Sequence, residues 1–254
     1  MKKRVDVLLV ERGLADTRSQ AQALVLAGLV PGYDKPGHQV AEDAELEVER
    51  PPRFVSRGGI KLANALDTLQ LEVAGRRALD VGASTGGFTD CLLQRAAEHV
   101  ISLDVAYGEL DYRLRADERV TVIERANARA VTPDQLPYPP DLVVIDVSFI
   151  SLAKVLPAVL ACTAERFDCL AMVKPQFEVG RERLGKGGVV RDPELRRSAV
   201  ASVAECADGL GCSVVGFAPS GLPGPKGNLE TFVWLAEGER PVGNWEAALA
   251  EVAV

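Results

Sequence analysis

Apolar residues near the amino terminus recur at the spacing of amphipathic helices. The stretch RVDVLLVERG carries apolar residues three and four positions apart and ends at Gly13. TRSQAQALVLAG repeats this arrangement, with Thr17 or Ser19 as the cap and Gly28 at the end. Side chains at these spacings share one face of a helix, and glycine is the commonest residue after a helix end. Two short helices that meet at a tight turn are therefore predicted.

The next stretch of chain has the pattern of turns followed by a strand. VPGYDKPGHQV is rich in glycine and proline, and AEDAELEVERPP alternates polar and apolar residues before a double proline. Alternation of this kind predicts a short strand, and the prolines indicate a linker. We place a small domain at 1–52, a linker at 53–57 and a larger domain at 58–254.

From Arg76 onward, short apolar runs alternate with helical stretches. The runs are rich in β-branched residues and read RRALDVGAS, HVISLDVA, RVTVIER, DLVVIDVSF and CLAMVKP. This alternation predicts an α/β fold with a mostly parallel sheet, helices on both faces, and ligands beyond the carboxyl ends of the strands. CSVVGFA and LETFVWLA are joined by a Gly/Pro loop without a helix, so they predict an antiparallel hairpin added to that sheet.

A glycine-rich loop, LDVGASTGGFTD, follows the first of these strands and opens a helix. Its glycines permit close backbone approach, and the helix N-terminus offers free N–H groups to an anionic group. The spacing G-x-x-x-G-G lacks the pyrophosphate fingerprint of dinucleotide folds, so S-adenosylmethionine fits better than NAD. A purely structural turn is the alternative interpretation.

Two further polar residues suit a nucleoside. Asp104 ends the second strand, where a carboxylate can accept hydrogen bonds from two ribose hydroxyls. Asn127 follows the third strand and is a candidate for the adenine end, with a turn asparagine as the alternative. The candidate cofactor-binding residues are Asp80, Gly82, Ser84, Gly86, Gly87, Phe88, Asp104, Val105, Asn127 and Asp146.

Lysines and carboxylates are predicted to meet at the carboxyl edge of the sheet. Lys174 follows an apolar strand directly, and Asp146 ends the neighbouring strand. If the last hairpin strand inserts beside the strand that ends at Lys174, Glu230 faces the same crevice. Lys61 lies in SRGGIKLANAL, in the predicted first turn of a helix that precedes the sheet. A lone lysine here would be solvated or salt-bridged, but two lysines and two carboxylates indicate a functional cluster.

Composition excludes some classes and leaves others open. The formal net charge of -7 excludes a uniformly basic nucleic-acid binder, although a basic face on an acidic molecule remains possible. The five cysteines lack C-x-x-C spacing, so neither a disulfide framework nor a zinc site is indicated, and they are interpreted as reduced core thiols of a cytoplasmic protein. Neither a signal peptide nor an apolar run of about 18 to 20 residues is evident, so no membrane association is predicted.

Several segments together resemble the TlyA-type ribosomal RNA methyltransferases, once labelled haemolysins. They are VSRGGIKLANAL, LDVGASTGGFTDCLL, LDVAYGEL, ERANAR, DLVVIDVSFISL, VKPQFEVG, GGVVRDP and GLPGPKGNLETFVWL. The resemblance spans about Arg53 to Trp234, and the N-terminal region is similar to the family's S4-like RNA-binding domain. It implies a Rossmann-like class I methyltransferase sheet, FtsJ-like in type, with S-adenosylmethionine as the cofactor and ribosomal RNA or ribosomal subunits as the partner.

The resemblance also implies a catalytic set and a reaction. The family's Lys-Asp-Lys-Glu residues fall on Lys61, Asp146, Lys174 and Glu230, which implies methylation of a ribose 2'-hydroxyl, that of a cytidine, without a metal. A lysine can act as the base only if its usual pKa of about 10.4 is lowered, as burial or a second cation can do. We therefore expect Lys174 to take or polarise the proton and Lys61 to assist it, while the carboxylates orient the lysines and the ribose.

Basic residues at two places are candidates for RNA contact. One group lies at the entries to the predicted N-terminal helices, and the other lies in or near the glycine-rich loop GRERLGKGGVVRD and at the start of the Lys61 helix. A solvated terminus and a solvated loop are the alternative interpretations. The candidate RNA-binding residues are Lys2, Lys3, Arg4, Arg18, Arg57, Arg181, Arg183 and Lys186.

Three other functions remain open at the level of sequence. The chain could methylate another nucleophile, although it lacks the Asn/Asp-Pro-Pro-Tyr/Phe motif of amino-nitrogen methylation. It could be an S4-domain RNA-binding protein with an inactive methyltransferase domain. It could also be a membrane-lytic haemolysin, which the lack of a spanning segment disfavours.

Overall fold

The computed structural model describes residues 2–49, 52–240 and 242–252, with the backbone but not the side chain of Arg181. The chain divides into two compact units, Met1–Arg53 and Phe54–Val254. Phe54 belongs to the predicted linker 53–57, but its side chain is buried in a core of the larger unit and packs against Gly59. Of the described helices, none is long and apolar enough to cross a membrane.

The smaller unit contains the two predicted helices, α1 (Val5–Glu11) and α2 (Arg18–Leu26). Thr17 caps α2, because its side chain accepts a hydrogen bond from the Gln20 backbone N–H. The apolar faces of the helices form a core that includes Leu8, Leu9 and Val25. The predicted helical pair is thus confirmed.

The strands of the smaller unit differ from the prediction. A two-stranded antiparallel ladder joins β1 (Lys2–Arg4) to β2 (Gln39–Ala41). The alternating stretch AEDAELEVER contributes only its first residue to β2. Residues 44–49 do alternate between half-buried and exposed side chains, but they form no strand. Leu46 and Val48 pack against the core without a neighbouring strand to pair with, so the predicted strand there is wrong.

The larger unit is built on a seven-stranded sheet, as far as the described residues show. Five parallel strands carry the predicted apolar runs, and two antiparallel strands complete one edge. In chain order the strands are β3 (Arg77–Val81), β4 (His99–Leu103), β5 (Val120–Ile123), β6 (Leu142–Ile145), β7 (Asp168–Val173), β8 (Ser213–Pro219) and β9 (Thr231–Ala236), and their spatial order is β5-β4-β3-β6-β7-β9-β8. The predicted α/β fold is confirmed.

Helices connect the strands and cover both faces, and each face has its own apolar core. The helices are α3 (Arg57–Leu69), α4 (Gly87–Gln94), α5 (Tyr112–Arg115), α6 (Leu156–Leu160), α7 (Pro175–Glu178), α8 (Pro193–Gly209) and α9 (Trp245–Glu251), with 3-10 turns at Ala128–Ala130, Pro133–Gln135, Leu152–Lys154, Arg181–Arg183 and Lys186–Gly188. The cysteines are free thiols, and all but the half-buried Cys206 are buried, as predicted for core residues.

The last hairpin is antiparallel, as the sequence predicted, and it inserts β9 beside β7, which is the condition on which Glu230 was placed in the crevice. Because β9 runs antiparallel to β7, its first residue lies at the edge where the parallel strands end. Val173 pairs with Thr231 in the ladder, so Lys174 and Glu230 follow and precede this pair at one edge of the sheet. The neighbouring β6 ends at Ile145, immediately before Asp146. Topology alone therefore gathers three of the four candidate catalytic residues.

Candidate active site

The loop between β3 and α4 lies tightly against the end of β6. Gly82 adopts a left-handed conformation with φ of +86°, and a Cβ atom at this position would lie 2.6 Å from the Asp146 carbonyl oxygen. At Gly87 a Cβ would lie 2.1 Å from Ser56 Oγ, at the start of α3. Only glycine permits both approaches, so the glycine-rich loop brings β3, β6 and α3 together at one crevice.

Asp80 lies beneath this loop and is fully buried. Its Oδ2 accepts hydrogen bonds from the backbone N–H and the hydroxyl of Thr89, at 2.9 and 2.7 Å, whereas Oδ1 has no hydrogen-bond partner among the described residues. Burial raises the pKa of this carboxyl to about 7, against the lowering effect of the Thr89 hydrogen bonds. Asp80 therefore holds the start of α4 in place from below.

A cavity of about 520 Å³ opens beyond the ends of β3 and β4. Asp104 lies on its wall and accepts hydrogen bonds from the backbone N–H groups of Ser84 and Ala106, at 2.8 and 2.7 Å. Each carboxylate oxygen keeps a further lone pair for a ligand hydroxyl. Asn127 caps a 3-10 turn through the Arg129 N–H, and it also lines the cavity. Asn127 is therefore a turn residue, as one of the two alternatives predicted, and it also lies at the cavity wall.

A second cavity, of about 750 Å³, adjoins the first along a shared wall. The wall residues common to both cavities are Gly82, Ser84, Asp146, Ser148 and Phe149. Most of the predicted cofactor residues line one cavity or both: Gly82, Ser84, Asp104, Val105, Asn127 and Asp146 line the smaller one, and Gly87 and Phe88 line the larger. Gly86 and Asp80 line neither of these two cavities.

All four candidate catalytic residues line the larger cavity, where they form two ion pairs. Lys61 donates a short hydrogen bond to Glu230, and these side chains are only 8% and 1% exposed. Lys174 Nζ lies 2.5 Å from Asp146 Oδ1, and it donates a hydrogen bond of 2.8 Å to Ser148 Oγ. The short distance to Asp146 lacks hydrogen-bond alignment, so the contact is an ion pair.

The surrounding elements hold these side chains in place. Lys61 is the fifth residue of α3 and lies in its second turn, one turn later than predicted. Lys174 caps α7, where Pro175 ends the strand and begins the helix. Glu178, at the end of α7, accepts hydrogen bonds from Ser151 Oγ and the Leu152 N–H, at 2.6 and 2.9 Å, and so ties α7 to the segment after β6. Lys174 and Asp146 are therefore fixed by elements that are bonded to each other.

Sequence reasoning missed an aromatic pair at the cavity wall. Phe149 has a φ of +65° and is 91% exposed, and its ring centroid lies 5.3 Å from that of Phe177. A bulky side chain in the left-handed region is a strained conformation that the surrounding structure must impose. No signal in the sequence marks such a backbone angle at a phenylalanine. Both rings line the larger cavity, beside Ser148.

The basic residues of the smaller unit are largely engaged with its own acidic residues. Asp6 is fully buried and accepts hydrogen bonds from Arg4, Arg18 and Gln22. The Arg4 hydrogen bond is the main cause that holds the Asp6 pKa well below its usual range. The side chains of Arg4 and Arg18 are 41% and 56% exposed, which leaves guanidinium donors for other anions.

Two other predicted RNA-contact residues of the smaller unit behave differently from the arginines. Lys3 forms ion pairs with Glu11 and Glu42, at 2.9 and 3.2 Å. Lys2 is exposed on β1. Lys2 and Lys3 therefore belong to a strand that the sequence did not predict, and Lys3 already has anionic partners.

Of the predicted RNA-contact residues of the larger unit, Arg57 lines the larger cavity, and the others belong to a loop of which two residues line it. Arg57 begins α3, lines the cavity and donates a hydrogen bond to the Pro223 carbonyl at 2.7 Å. Arg183 and Lys186 are exposed on the loop GRERLGKGGVVRD, residues 180–192. Arg181 begins a 3-10 turn of that loop, and its side chain lies outside the described residues. Leu184 and Gly188, from the same loop, line the cavity.

Family models match both units. The model of the FtsJ-like methyltransferases matches residues 54–237, and the S4 domain model matches residues 3–30. Within the larger unit, the match includes the glycine-rich loop between β3 and α4 and all four candidate catalytic residues.

Relatives match nearly the whole chain. The 16S/23S rRNA (cytidine-2'-O)-methyltransferase TlyA of Mycobacterium tuberculosis is 51% identical over 239 residues, which cover 91% of this chain and 89% of that protein. Hemolysin A of Brachyspira hyodysenteriae is 36% identical, with 89% of this chain and 97% of that protein covered. A solved structure of a Streptococcus thermophilus protein named as a hemolysin is 40% identical, with a TM-score of 0.77, and covers 99% of this chain and 94% of its own. The chain therefore belongs to the FtsJ-like methyltransferase family, with an S4 domain at its amino-terminal end.

Proposed function

We propose that this protein transfers a methyl group from S-adenosylmethionine to the 2'-hydroxyl of a cytidine ribose in ribosomal RNA. The observation that carries this proposal is the pair of lysine–carboxylate contacts, Lys61–Glu230 and Lys174–Asp146, at the wall of a cavity that adjoins a second, nucleoside-sized one. The name of the M. tuberculosis relative supports the choice of nucleotide and of RNA class.

The residues of the smaller cavity fit the cofactor. Asp104 retains lone pairs for two ribose hydroxyls, and Asn127 offers a side-chain amide at the nucleoside end. The loop between β3 and α4 lines the wall that the two cavities share through Gly82 and Ser84, and we assign the amino-acid end of the cofactor to this loop. S-adenosylmethionine supplies an electrophilic methyl group on a sulfonium centre. We assign the residues that would hold this sulfonium end to the wall that the two cavities share, which includes Gly82 and Asp146.

The larger cavity would then hold the target ribose. We assign the 2'-hydroxyl proton to Lys174 in its neutral amine form, which requires that the ammonium group of the Lys174–Asp146 pair first releases a proton to solvent. Its Nζ is positioned by Asp146 and Ser148. Lys61, held by Glu230, would stabilise the negative charge that develops on the 2'-oxygen. As the new bond forms between the oxygen and the methyl carbon, the bond between carbon and sulfur breaks. The protein contributes mainly position and charge, because an in-line displacement needs little more.

Contact with RNA would use both units. In the smaller unit, the half-exposed guanidinium groups of Arg4 and Arg18 could bind phosphates. In the larger unit, Arg57 and the loop that carries Arg183 and Lys186 border the cavity, and Phe149 offers an exposed ring face of the kind on which bases stack. A ribosomal substrate also places the proposed activity in the cytoplasm.

A labelling experiment tests the proposed function. The purified protein is incubated with S-adenosylmethionine carrying a labelled methyl group and with separated small and large ribosomal subunits. We expect label in RNA, in nucleosides that are methylated at the ribose. Label in protein, label in a base or no label with either subunit would contradict the proposal.

The approach of Gly82 to Asp146 makes a specific prediction for cofactor binding. Gly82→Ala would place Cβ 2.6 Å from a backbone oxygen, so the loop and β6 must separate where the cavities meet. We expect the affinity for S-adenosylmethionine to fall about tenfold or more, as measured by calorimetry. Gly75→Ala is the matched control, because Gly75 has a φ of +74° with nothing within 4 Å of a Cβ. Equal affinities for the two variants would contradict the assignment.

Asp80 makes a prediction about pH. A carboxyl whose pKa is about 7 when folded and about 3.9 when unfolded binds its proton more tightly in the folded state. Its contribution to stability is therefore complete below about pH 4 and is lost as the pH rises to about 7.

The test compares urea denaturation of the wild type and Asp80→Asn from pH 4 to pH 8. We expect the wild type to lose stability relative to Asp80→Asn as the pH rises, because asparagine keeps an acceptor for Thr89 but cannot ionise. The exposed Asp208 provides the control, Asp208→Asn. A constant difference between the wild type and Asp80→Asn across this range would refute the assigned titration.

A further inference from the structure

The side chain of Asn228 joins two loops at the wall of the larger cavity. It is 1% exposed, and both ends of its amide are bonded. Oδ1 accepts a hydrogen bond of 2.9 Å from the Val190 N–H, and Nδ2 donates one of 3.0 Å to the Gly188 carbonyl. The Asn228 backbone carbonyl accepts a further bond from the Gly224 N–H at 2.8 Å. One buried residue thus connects the loop GRERLGKGGVVRD, residues 180–192, to the loop that precedes β9.

The Asn228 side-chain amide bonds the backbone of the loop 180–192 through one donor and one acceptor, as a neighbouring strand would in a sheet. It satisfies a carbonyl and an N–H two residues apart, in a segment that contains the 3-10 turn Lys186–Gly188 and two consecutive left-handed glycines, Gly187 and Gly188. The Arg196 guanidinium supports the end of the same segment, because it donates to the carbonyls of Val190 and Arg191 at 3.2 and 2.7 Å. Side-chain hydrogen bonds therefore hold residues 184–191, in place of a sheet ladder.

This segment contacts the cavity on one side and solvent on the other. Leu184, Gly188 and Asn228 line the cavity that also contains Lys61 and Glu230. Lys186 and Arg191 are exposed on the same segment. Glu230, which holds Lys61, follows Asn228 by two residues. The Asn228 amide thus links the segment that carries the exposed cations to the chain that leads to Glu230.

We propose that Asn228 is a positioning residue for the RNA substrate. It holds the segment 184–191 so that RNA phosphates bound by its cations place the target ribose at Lys174 and Lys61. This inference rests on the proposed function and adds a residue that touches neither the cofactor nor the reacting atoms. A merely structural role for a buried amide would predict lower stability without a selective effect on RNA.

The test measures methyl-transfer kinetics of Asn228→Ala with ribosomal subunits, together with tryptic cleavage after Arg183, Lys186 and Arg191. The Val190 N–H and the Gly188 carbonyl lose their partner in this variant, so the segment should be free to move. We expect the KM for RNA to rise about tenfold, kcat to change less than about threefold, and S-adenosylmethionine affinity to stay unchanged. Cleavage at the three sites should accelerate about tenfold.

Two further variants make the result specific. Arg196→Ala loosens the same segment from its far end and leaves Asn228 intact, so we expect the same pattern. Asn244→Ala is the control. It removes the side-chain acceptor that caps α9 at the Ala247 N–H, and it should change neither the KM for RNA nor the rate of tryptic cleavage. If Asn228→Ala fails to fold, Asn228→Asp takes its place, because aspartate keeps the acceptor for the Val190 N–H and loses only the donor to the Gly188 carbonyl. The same rise in KM and the same faster cleavage are expected, and wild-type values for both would overturn the role of Asn228.

The outcomes separate this inference from the proposed function. An unchanged KM for RNA, or an unchanged rate of tryptic cleavage, would overturn the role of Asn228 while methyl transfer by the wild type still stands. A wild type that transfers no methyl group to RNA would refute the proposed function. Tryptic cleavage would then be the remaining readout, and equal rates for Asn228→Ala and the wild type would refute the anchoring of the segment as well.

Discussion

Lys174→Ala should lower kcat for methyl transfer by about 10²- to 10⁴-fold, the range that a positioned proton acceptor contributes. The variant leaves a cavity wall without the amine that faces Asp146 and Ser148. Lys174→Arg should be nearly as inactive, because a guanidinium remains protonated and cannot accept the 2'-hydroxyl proton. The affinity for S-adenosylmethionine should change little, since the smaller cavity keeps its lining. Methyl transfer from labelled cofactor under saturating conditions measures the effect.

The control for this experiment is Lys154→Ala. Lys154 is an exposed lysine on the 3-10 turn Leu152–Lys154, away from the ion pairs. It should retain normal turnover. Near-normal turnover of a folded Lys174→Ala protein would remove Lys174 from the mechanism.

The buried Lys61–Glu230 pair should govern stability as well as activity. Its side chains are 8% and 1% exposed, so Glu230→Ala leaves an ammonium group buried without its carboxylate. Removal of one partner from a buried pair costs about 3 to 5 kcal/mol. We therefore expect Glu230→Ala to lower the urea midpoint strongly and to abolish methyl transfer.

The double variant Lys61→Met with Glu230→Met separates the two effects. Apolar replacements of similar volume remove both desolvated charges, so stability should return to about the wild-type level or above it. Methyl transfer should remain absent, because both polar groups are missing from the cavity. A double variant as unstable as Glu230→Ala would show that an unpaired charge does not explain the loss. Wild-type stability of Glu230→Ala would contradict the burial of the pair.

The sequence predicted the sheet and the polar residues at its carboxyl edge because both follow from local patterns, whereas their candidate catalytic roles came from the family resemblance. Apolar runs and intervening helices define the parallel strands, and a Gly/Pro loop defines the last hairpin. The insertion of β9 beside β7 then places Glu230 near Lys174. The pairing of the charges did not follow from topology, since it depends on side-chain directions from α3 and from the residue before β9. Glu230 in fact holds Lys61, and Asp146 holds Lys174.

Other features carried no usable signal. Lys2–Arg4 forms a strand although all three residues are basic, and its partner β2 is as short. Residues 44–49 have a strand-like alternation but form no strand. A short segment becomes a strand only when another strand pairs with it, and the alternation alone does not predict that pairing. The strained backbone at Phe149 and the amide bridge of Asn228 depend on neighbours distant in sequence. These are non-local packing effects, which single-sequence periodicity does not encode.

One measurement tests the central claim most directly. Ribosomal RNA from separated subunits is treated with S-adenosylmethionine and either the wild type or Lys174→Ala, and is then partially hydrolysed in alkali. Methylation of a 2'-hydroxyl blocks cleavage of the adjacent phosphodiester, so each modified nucleotide appears as a gap in the ladder. We predict a gap at a cytidine with the wild type and none with Lys174→Ala. An unbroken ladder with the wild type, or the same gap with both proteins, would contradict the account.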